Sequence, residues 1–325
     1  MIEEKAEQFR KTYDAIRLQV RKRMVGLDET TDHAISALFL GGHVLLEGVP
    51  GLGKTLLVKS LAESLDLNFS RIQFTPDLMP ADIIGTNMIL QNPDGEKGFR
   101  FQKGPLFTHV LLADEINRAT PKTQSALLEA MQEHAITVAG QRYLLEEPFI
   151  VLATQNPIEM EGTYPLPEAQ LDRFLYKILV PYPAEEELLS ILNRTTTEDA
   201  TRLESVVGRE KIREFSSLIF QVPASENALK FAAQLTLRTH PDHPHAPDFI
   251  RKYVRYGSSP RGAQALILSA KIAALRQGRF NVATEDIAAA ALPALRHRLI
   301  LNIEGLAENI SPDTLIHQLV EAMRV

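Results

Sequence analysis

The sequence contains no cysteine among its 325 residues. This absence excludes disulfides, zinc sites with thiolate ligands and a thiol nucleophile, and it is typical of a reducing compartment. Residues 1–6 lack the charged and apolar regions of a signal peptide, and no apolar run approaches the length that spans a membrane. We therefore expect a soluble, cytoplasmic protein.

The chain also lacks an excess of positive charge. Its 35 Lys and Arg residues stand against 41 Asp and Glu residues, which gives a net charge of −6. Nothing in the overall field therefore recruits nucleic acid or an anionic membrane surface. With 45% apolar residues, the chain is long enough for two ordinary domains with hydrophobic cores.

What the first half contains is an alternation of apolar runs and helical stretches, which is the pattern of buried parallel strands joined by helices. The sequence therefore predicts an α/β fold with a doubly wound, five-stranded parallel sheet. Two β-hairpins are predicted to interrupt it, one over residues 86–101 with a turn at residues 92–95 and one over residues 135–145. The five predicted strands are residues 43–47, 69–74, 110–114, 149–153 and 176–180.

After residues 181–183 the β-branched runs end, and helical periods rich in alanine and leucine continue to the C-terminus. We place a domain boundary there. The prediction is an αβα domain over residues 1–182 and a small all-α domain over residues 183–325.

Residues 48–55 have the glycine spacing of a phosphate-binding loop, and they lie between an apolar strand and a helix. In that context the backbone N–H groups of the loop and of the helix N-terminus point at anionic oxygens. Lys54 is then placed to reach the β- and γ-phosphates, and Thr55 to put its hydroxyl on Mg²⁺. The alternative is a glycine-rich turn with a solvated lysine.

Polar residues follow two of the predicted strands. Asp114 and Glu115 end the third strand, at the sheet edge where α/β proteins bind ligands. There Asp114 is suited to Mg²⁺ and Glu115 to polarising the water that attacks the γ-phosphate. Asn156 follows the fourth strand and is suited to hydrogen bond this water or the γ-phosphate. Solvated acids and a turn asparagine before proline are the alternatives.

Two arginines, Arg173 before the last strand and Arg261 at a predicted helix start, are able to stabilise charge on a transferring phosphoryl group. From the residues alone, ordinary surface pairing is the favoured explanation for each of them. His240, His243 and His245 form a further cluster, but the prolines between them favour a solvated linker over a metal site.

The long segments 112–133, 153–174 and 257–262, together with the phosphate loop, resemble the MoxR family of AAA+ ATPases. The resemblance implies an AAA+ P-loop domain followed by a helical lid. It implies catalytic roles for five residues: Lys54, Glu115, Asn156 (sensor 1), Arg173 (arginine finger) and Arg261 (sensor 2). The nucleotide-binding residues that it implies are Val25, Gly26, Gly48, Pro50, Gly51, Leu52, Gly53, Lys54, Thr55, Leu56, Asp114 and Arg261, with Thr55 and Asp114 as the Mg²⁺ ligands.

The resemblance further implies ATP and Mg²⁺ as cofactors, a homo-oligomer that is a hexameric ring, and a lid in which Arg261 senses the γ-phosphate. The implied function is chaperone-like remodelling or maturation of a client protein, such as metal or cofactor insertion or complex assembly, with a von Willebrand A-domain protein as partner. Three alternatives stay open: a nucleotide-gated assembly scaffold, a chelatase-like ATPase subunit, and a nucleic-acid motor, which the acidic net charge disfavours.

Overall fold

The computed structural model describes residues 2–91, 97–157, 162–196 and 201–323. The strands are β1 Val44–Glu47, β2 Phe69–Gln73, β3 Gly85–Gln91, β4 Lys97–Lys103, β5 Val110–Asp114, β6 Ala135–Val138, β7 Gln141–Leu144, β8 Ile150–Gln155, β9 Tyr176–Leu179, β10 Val254–Tyr256 and β11 Ile300–Leu301. The helices are α1 Ile2–Arg23, α2 Asp28–Leu40, α3 Lys54–Ser64, α4 Pro80–Ile84, α5 Pro121–Glu133, α6 Glu168–Leu171, α7 Glu185–Thr195, α8 Arg209–Gln221, α9 Glu226–Leu237, α10 Asp248–Tyr253, α11 Pro260–Arg276, α12 Thr284–Leu295, α13 Ile303–Ala307 and α14 Pro312–Met323, with a 3₁₀ turn over Ile116–Arg118.

The five predicted apolar runs form one parallel sheet in the order β2-β5-β8-β1-β9. β5, β8 and β1 lie in its centre, and nearly every residue of these strands is buried. Strands covered on both faces have no polar side to alternate with, which is why they appear in the sequence as continuous apolar runs. The predicted fold class, an α/β sheet with hairpin insertions and a helical C-terminal part, is confirmed.

Two antiparallel hairpins leave the sheet where the sequence predicted them. β3 pairs with β4, and β6 pairs with β7 through a turn at Ala139 and Gly140. The predicted turn at residues 92–95 of the first hairpin lies outside the described residues. At the base of this hairpin, Gly85 has φ +100° and its Cα approaches the Gln102 carbonyl so closely that a Cβ would lie 2.2 Å from the oxygen. Only glycine fits there.

The helical C-terminal part packs against the first part through α1. Phe9 on α1 contacts Phe39 on α2 and Phe215 on α8, with ring centroids 5.2 and 5.4 Å apart. The Tyr176 hydroxyl on β9 lies 2.7 Å from the Ser269 hydroxyl on α11. One hydrophobic cluster thus runs from the helices beside the sheet into the helical part. Within the described residues, no helix has both the length and the apolar composition needed to cross a bilayer.

A buried histidine lies at the amino end of β1. His43 is 5% exposed; its Nδ1 accepts a hydrogen bond from the Val151 N–H at 3.0 Å, so its Nε2 donates to the Met131 carbonyl at 3.1 Å. Burial lowers the pKa of His43 to about 4, against about 6.5 in an unfolded chain. Between about pH 6.5 and pH 4, His43 is therefore protonated in the unfolded chain but neutral in the folded chain.

We expect this histidine to make the protein sensitive to acid. The free energy of unfolding should fall by about 2 kcal/mol between pH 7 and pH 5 on account of His43 alone, and its contribution should be lost by pH 4. Urea unfolding of His43→Gln at both pH values should show a smaller difference than the wild type. His317→Gln, at an exposed site, is the control, and an unchanged pH dependence in His43→Gln would contradict the assignment.

Candidate functional site

The glycine-rich loop connects the carboxyl end of β1 to the N-terminus of α3. Gly51 and Gly53 have φ values of +86° and +78°, the left-handed region in which a side chain is strained. The Gly48 N–H donates to the Gln155 carbonyl at 3.2 Å, which anchors the loop to β8. The loop N–H groups and the first turn of α3 are therefore arranged as a phosphate cradle.

Lys54 is the first residue of α3, and its side chain folds back over the loop. Its Nζ donates to the Gly48 carbonyl at 2.5 Å. Burial lowers the pKa of Lys54, and the nearby Asp114 and Glu115 carboxylates offset only part of this shift. The lysine thus lies between the loop and the acidic strand end, where an incoming phosphate would exchange the carbonyl contact for a charged one.

The two acids at the end of β5 are held by β8. The Thr154 hydroxyl donates to Asp114 Oδ1 at 2.6 Å and accepts a hydrogen bond from the Glu115 N–H at 2.8 Å. Glu115 has φ +56°, which is uncommon for a residue with a side chain. Strain of this kind persists where the surrounding hydrogen bonds hold it, and here the bond from the Glu115 N–H to Thr154 is one of them.

Two residues of β2 that no motif indicated also contact these acids. Arg71 Nη2 donates to Asp114 Oδ2 at 2.7 Å, and Gln73 Nε2 donates to Glu115 Oε2 at 2.8 Å. Arg71 and Gln73 lie two residues apart and therefore share one face of the strand. That alternation was the available signal, but on a strand at the sheet edge it is equally typical of a solvated face.

Asn156 follows β8 directly and is 7% exposed. Because β8 lies between β5 and β1, with Ala153 paired to Ala113 and Gln155 paired to Glu47, Asn156 lies between the acids and the phosphate loop. The structure therefore brings together the loop, Asp114, Glu115 and Asn156 at one edge of the sheet, as expected for the carboxyl ends of parallel strands.

Beside the loop lies a mainly apolar cavity of about 490 Å³. Its walls come from the end of α1, the glycine loop, the segment after β9 and helix α7. Among the residues implied by sequence, it is lined by Val25, Gly26, Pro50, Gly51, Leu52, Gly53 and Leu56. A mainly apolar cavity next to a phosphate cradle has the chemistry that a nucleotide base requires.

The oxygen donors of this edge fit Mg²⁺. Thr55 carries a hydroxyl, and Asp114 carries a carboxylate whose two oxygens accept hydrogen bonds from the Arg71 guanidinium and the Thr154 hydroxyl. Oxygen ligands of this kind are the ones that a hard cation prefers. These two residues would hold the ion together with phosphate oxygens. When bound, it would supply positive charge that polarises the phosphates.

Arg173 and Arg261 lie elsewhere. Both line a cavity of about 260 Å³ together with Gly41 and Gly42, which precede β1, and Leu175, which precedes β9. Arg173 Nη1 donates to the Leu128 carbonyl at 2.7 Å. These positions mark the amino edge of the sheet, whereas the phosphate loop leaves its carboxyl edge.

The four-residue length of β1 separates the two edges by about 13 Å. The structure therefore does not bring Arg261 to the phosphate loop of its own chain, and Arg261 is not among the described residues that line the nucleotide cavity. Helix α11 begins beside the amino ends of the strands, and the role of Arg261 as a sensor of the γ-phosphate stays a prediction.

The histidine-rich segment is fixed by ordinary structural contacts. His240 Nε2 lies 2.9 Å from the Ser258 carbonyl, and Arg251 donates to the carbonyls of His243 and Pro244 at 3.1 and 2.9 Å. Across the part of the chain that the structure describes, no group of three or more His, Cys, Asp or Glu side chains is arranged to hold a metal. We expect Zn²⁺ to leave the melting temperature unchanged. A rise in melting temperature that His243→Ala removes would contradict this expectation.

Comparisons with known proteins agree with this geometry. Residues 43–176 match the family model described as "ATPase family associated with various cellular activities (AAA)", and residues 249–319 match the "AAA lid domain". The chain is 41% identical over 307 residues to Chaperone MoxR1 of Mycobacterium tuberculosis, covering 94% of this chain and 80% of the relative.

Two further similarities cover most of the chain. Protein MoxR of Methylorubrum extorquens is 30% identical over 300 residues, covering 87% of this chain and 86% of the relative. A crystal structure described as a putative ATPase from Cytophaga hutchinsonii superposes with a TM-score of 0.91 and 41% identity, covering 98% of this chain and 96% of that one.

Proposed function

The chain belongs to the MoxR family of AAA+ ATPases and hydrolyses ATP, and on this premise we propose that hydrolysis drives chaperone-like remodelling of a client protein by a ring of subunits. The observation that carries the proposal is the placement of the two arginines at the sheet edge opposite the phosphate loop. A single subunit therefore holds only part of a catalytic site.

Within one subunit, the side chains at the carboxyl edge bind the substrate and prepare the water. The loop N–H groups and Lys54 neutralise the phosphates, while Thr55 and Asp114 are placed to hold Mg²⁺. Glu115 accepts the proton of the attacking water, and Asn156 orients it through its amide. Gln73 holds the Glu115 carboxylate and so fixes its position before substrate binds.

The charge that develops on the γ-phosphate requires a cation from a neighbour. Arg173 and Arg261 lie at the amino edge of one subunit, and a head-to-tail contact would place them at the phosphate loop of the next. Such a heterologous interface repeats until it closes, and we propose the hexameric ring of the sequence-based expectation. Loss of the γ-phosphate would then loosen the contact between neighbours, which converts hydrolysis into movement.

We propose that the client is a protein whose maturation needs remodelling, including metal or cofactor insertion or complex assembly, with a von Willebrand A-domain protein as partner. The name Chaperone MoxR1 of the Mycobacterium relative supports a chaperone-like role. A chelatase-like subunit or a nucleotide-gated scaffold would use the same site. A nucleic-acid motor is disfavoured by the net charge of −6.

Trapping the client is the experiment that tests this function. Glu115→Gln protein, loaded with ATP, should retain a client in an affinity pull-down, and Lys54→Ala protein, which cannot hold the phosphates, is the matched control. The captured protein, once purified, should raise the wild-type ATPase rate. Stimulation by DNA instead would indicate a motor, and a captured partner that leaves the rate unchanged would favour the scaffold.

A further inference from the structure

Arg298 is a buried arginine whose contacts concentrate on the turn that carries Arg173. Its Nη2 donates to the carbonyls of Asp172 and Phe174 at 3.0 and 2.8 Å, and its Nη1 donates to the Leu175 carbonyl at 3.3 Å. Its Nε donates to the Asp172 carboxylate at 2.8 Å. The Arg298 guanidinium thus forms hydrogen bonds with residues on both sides of Arg173.

The same carboxylate contacts the helix that carries Arg261. The Ser259 hydroxyl, which caps the N-terminus of α11 by accepting from the Arg261 N–H, lies 2.8 and 2.9 Å from the two Asp172 oxygens. Arg261 Nη1 lies 3.7 Å from Asp172. Asp172 itself belongs to the turn over residues 172–175 that carries Arg173, which we call the finger turn. It therefore joins this turn to Arg298 and to the start of α11.

The burial of Arg298 and Asp172 restricts their side chains to one arrangement. The Arg298 side chain is 3% exposed and the Asp172 side chain 20% exposed. A charge so far from water is retained at a cost, and it stays only where its hydrogen bonds are all made in one arrangement. Arg298 uses its planar fork of donors for this purpose, a geometry that lysine cannot reproduce.

We propose that Arg298, acting through Asp172, is a positioning residue that fixes Arg173 and Arg261 relative to each other, so that both enter the neighbouring subunit's nucleotide site as one unit. The inference rests on the proposed function, because it concerns the two arginines that act across the ring. It assigns Arg298 no contact with the nucleotide.

The first test compares Arg298→Met with Arg296→Met. Arg296 lies in the same segment and makes a similar two-pronged ion pair, with Asp313 at 2.9 and 2.7 Å, but it contacts the Lys177 carbonyl and not the finger turn. We expect Arg298→Met to lower kcat about 10- to 100-fold, since misplacing a catalytic group by about 1 Å has effects of this size. The Kd for ATP should stay unchanged, and Arg296→Met should keep wild-type kcat.

The second test is complementation, because a residue that positions arginines for the neighbour should be replaceable by the neighbour. Arg298→Met subunits mixed equally with Lys54→Ala subunits should recover about a quarter of the wild-type rate, since a quarter of the seams in a randomly mixed ring pair an intact loop with intact arginines. A role confined to the stability of its own subunit predicts no recovery.

Matched mixtures separate this inference from the proposed function. If Arg173→Ala is rescued by Lys54→Ala subunits but Arg298→Met is not, the positioning role is overturned. If neither is rescued, action across the ring fails and the proposed function falls with it. Should Arg298→Met fail to fold, Arg298→Lys and Asp172→Asn carry the same test: each must lower kcat without changing Kd and be rescued in trans, and wild-type kcat in both would refute the inference.

Discussion

Replacing Arg173 by alanine is expected to lower kcat by ~10³- to 10⁵-fold, the range that arginine fingers contribute in nucleotide hydrolases. The reason is geometric: Arg173 lies at the amino edge of the sheet, whereas its own phosphate loop leaves the carboxyl edge. Under the proposed function it therefore acts on the nucleotide of a neighbour. Its loss leaves the cavity, the loop and Lys54 of the same subunit intact. The Kd for ATP, measured with a fluorescent analogue, should therefore stay near the wild-type value.

Two controls sharpen this prediction. Arg255→Ala removes an exposed arginine on β10 and should keep full activity. Arg173→Lys keeps the charge but not the planar fork, so it should recover only part of the lost rate. Equal mixing of Arg173→Ala with Lys54→Ala subunits should restore about a quarter of the wild-type rate in a randomly mixed ring. An Arg173→Ala protein that hydrolyses ATP at the wild-type rate would show that Arg173 of the neighbouring subunit takes no part in catalysis.

The sequence predicted the sheet and the carboxyl edge of the site well because these depend on local patterns. A buried parallel strand appears as an apolar run, and the residue after it must lie at the ligand-binding edge. Asp114, Glu115 and Asn156 could therefore be assigned to one place from the strands that precede them. The glycine spacing of residues 48–55 likewise has one structural interpretation between a strand and a helix.

What the sequence could not predict was set by long-range packing. Arg261 lies at a helix N-terminus, as predicted, but which edge of the sheet that helix reaches depends on how α11 packs against α1 and β9. Arg298, in a later segment, appears in the sequence as an ordinary charged residue, and its buried pairing with Asp172 joins residues 126 positions apart. The contacts of Arg71 and Gln73 with Asp114 and Glu115 could not be predicted for the same reason. They depend on β2 lying beside β5, and the sequence of a single strand does not determine its neighbours in the sheet.

The Glu115→Gln substitution is expected to lower kcat by ~10²- to 10⁴-fold, the usual contribution of a general base. The amide is nearly isosteric with the carboxylate, so the left-handed backbone at residue 115 and the N–H bond to Thr154 should persist. What is lost is the ability to accept a proton from the attacking water. Binding of ATP should remain, because Lys54, Thr55 and Asp114 are unchanged.

The comparison of single-turnover rates with nucleotide affinity tests this assignment directly. Glu146→Gln, at a carboxylate that is 68% exposed and pairs with Arg209, makes the same charge change away from the site and should behave as wild type. A Glu115→Gln protein that fails to bind ATP would indicate that the carboxylate has a structural role at the strand end. One that turns over at the wild-type rate would mean that another group accepts the proton, because no chemistry available to an amide replaces that of the carboxylate at neutral pH.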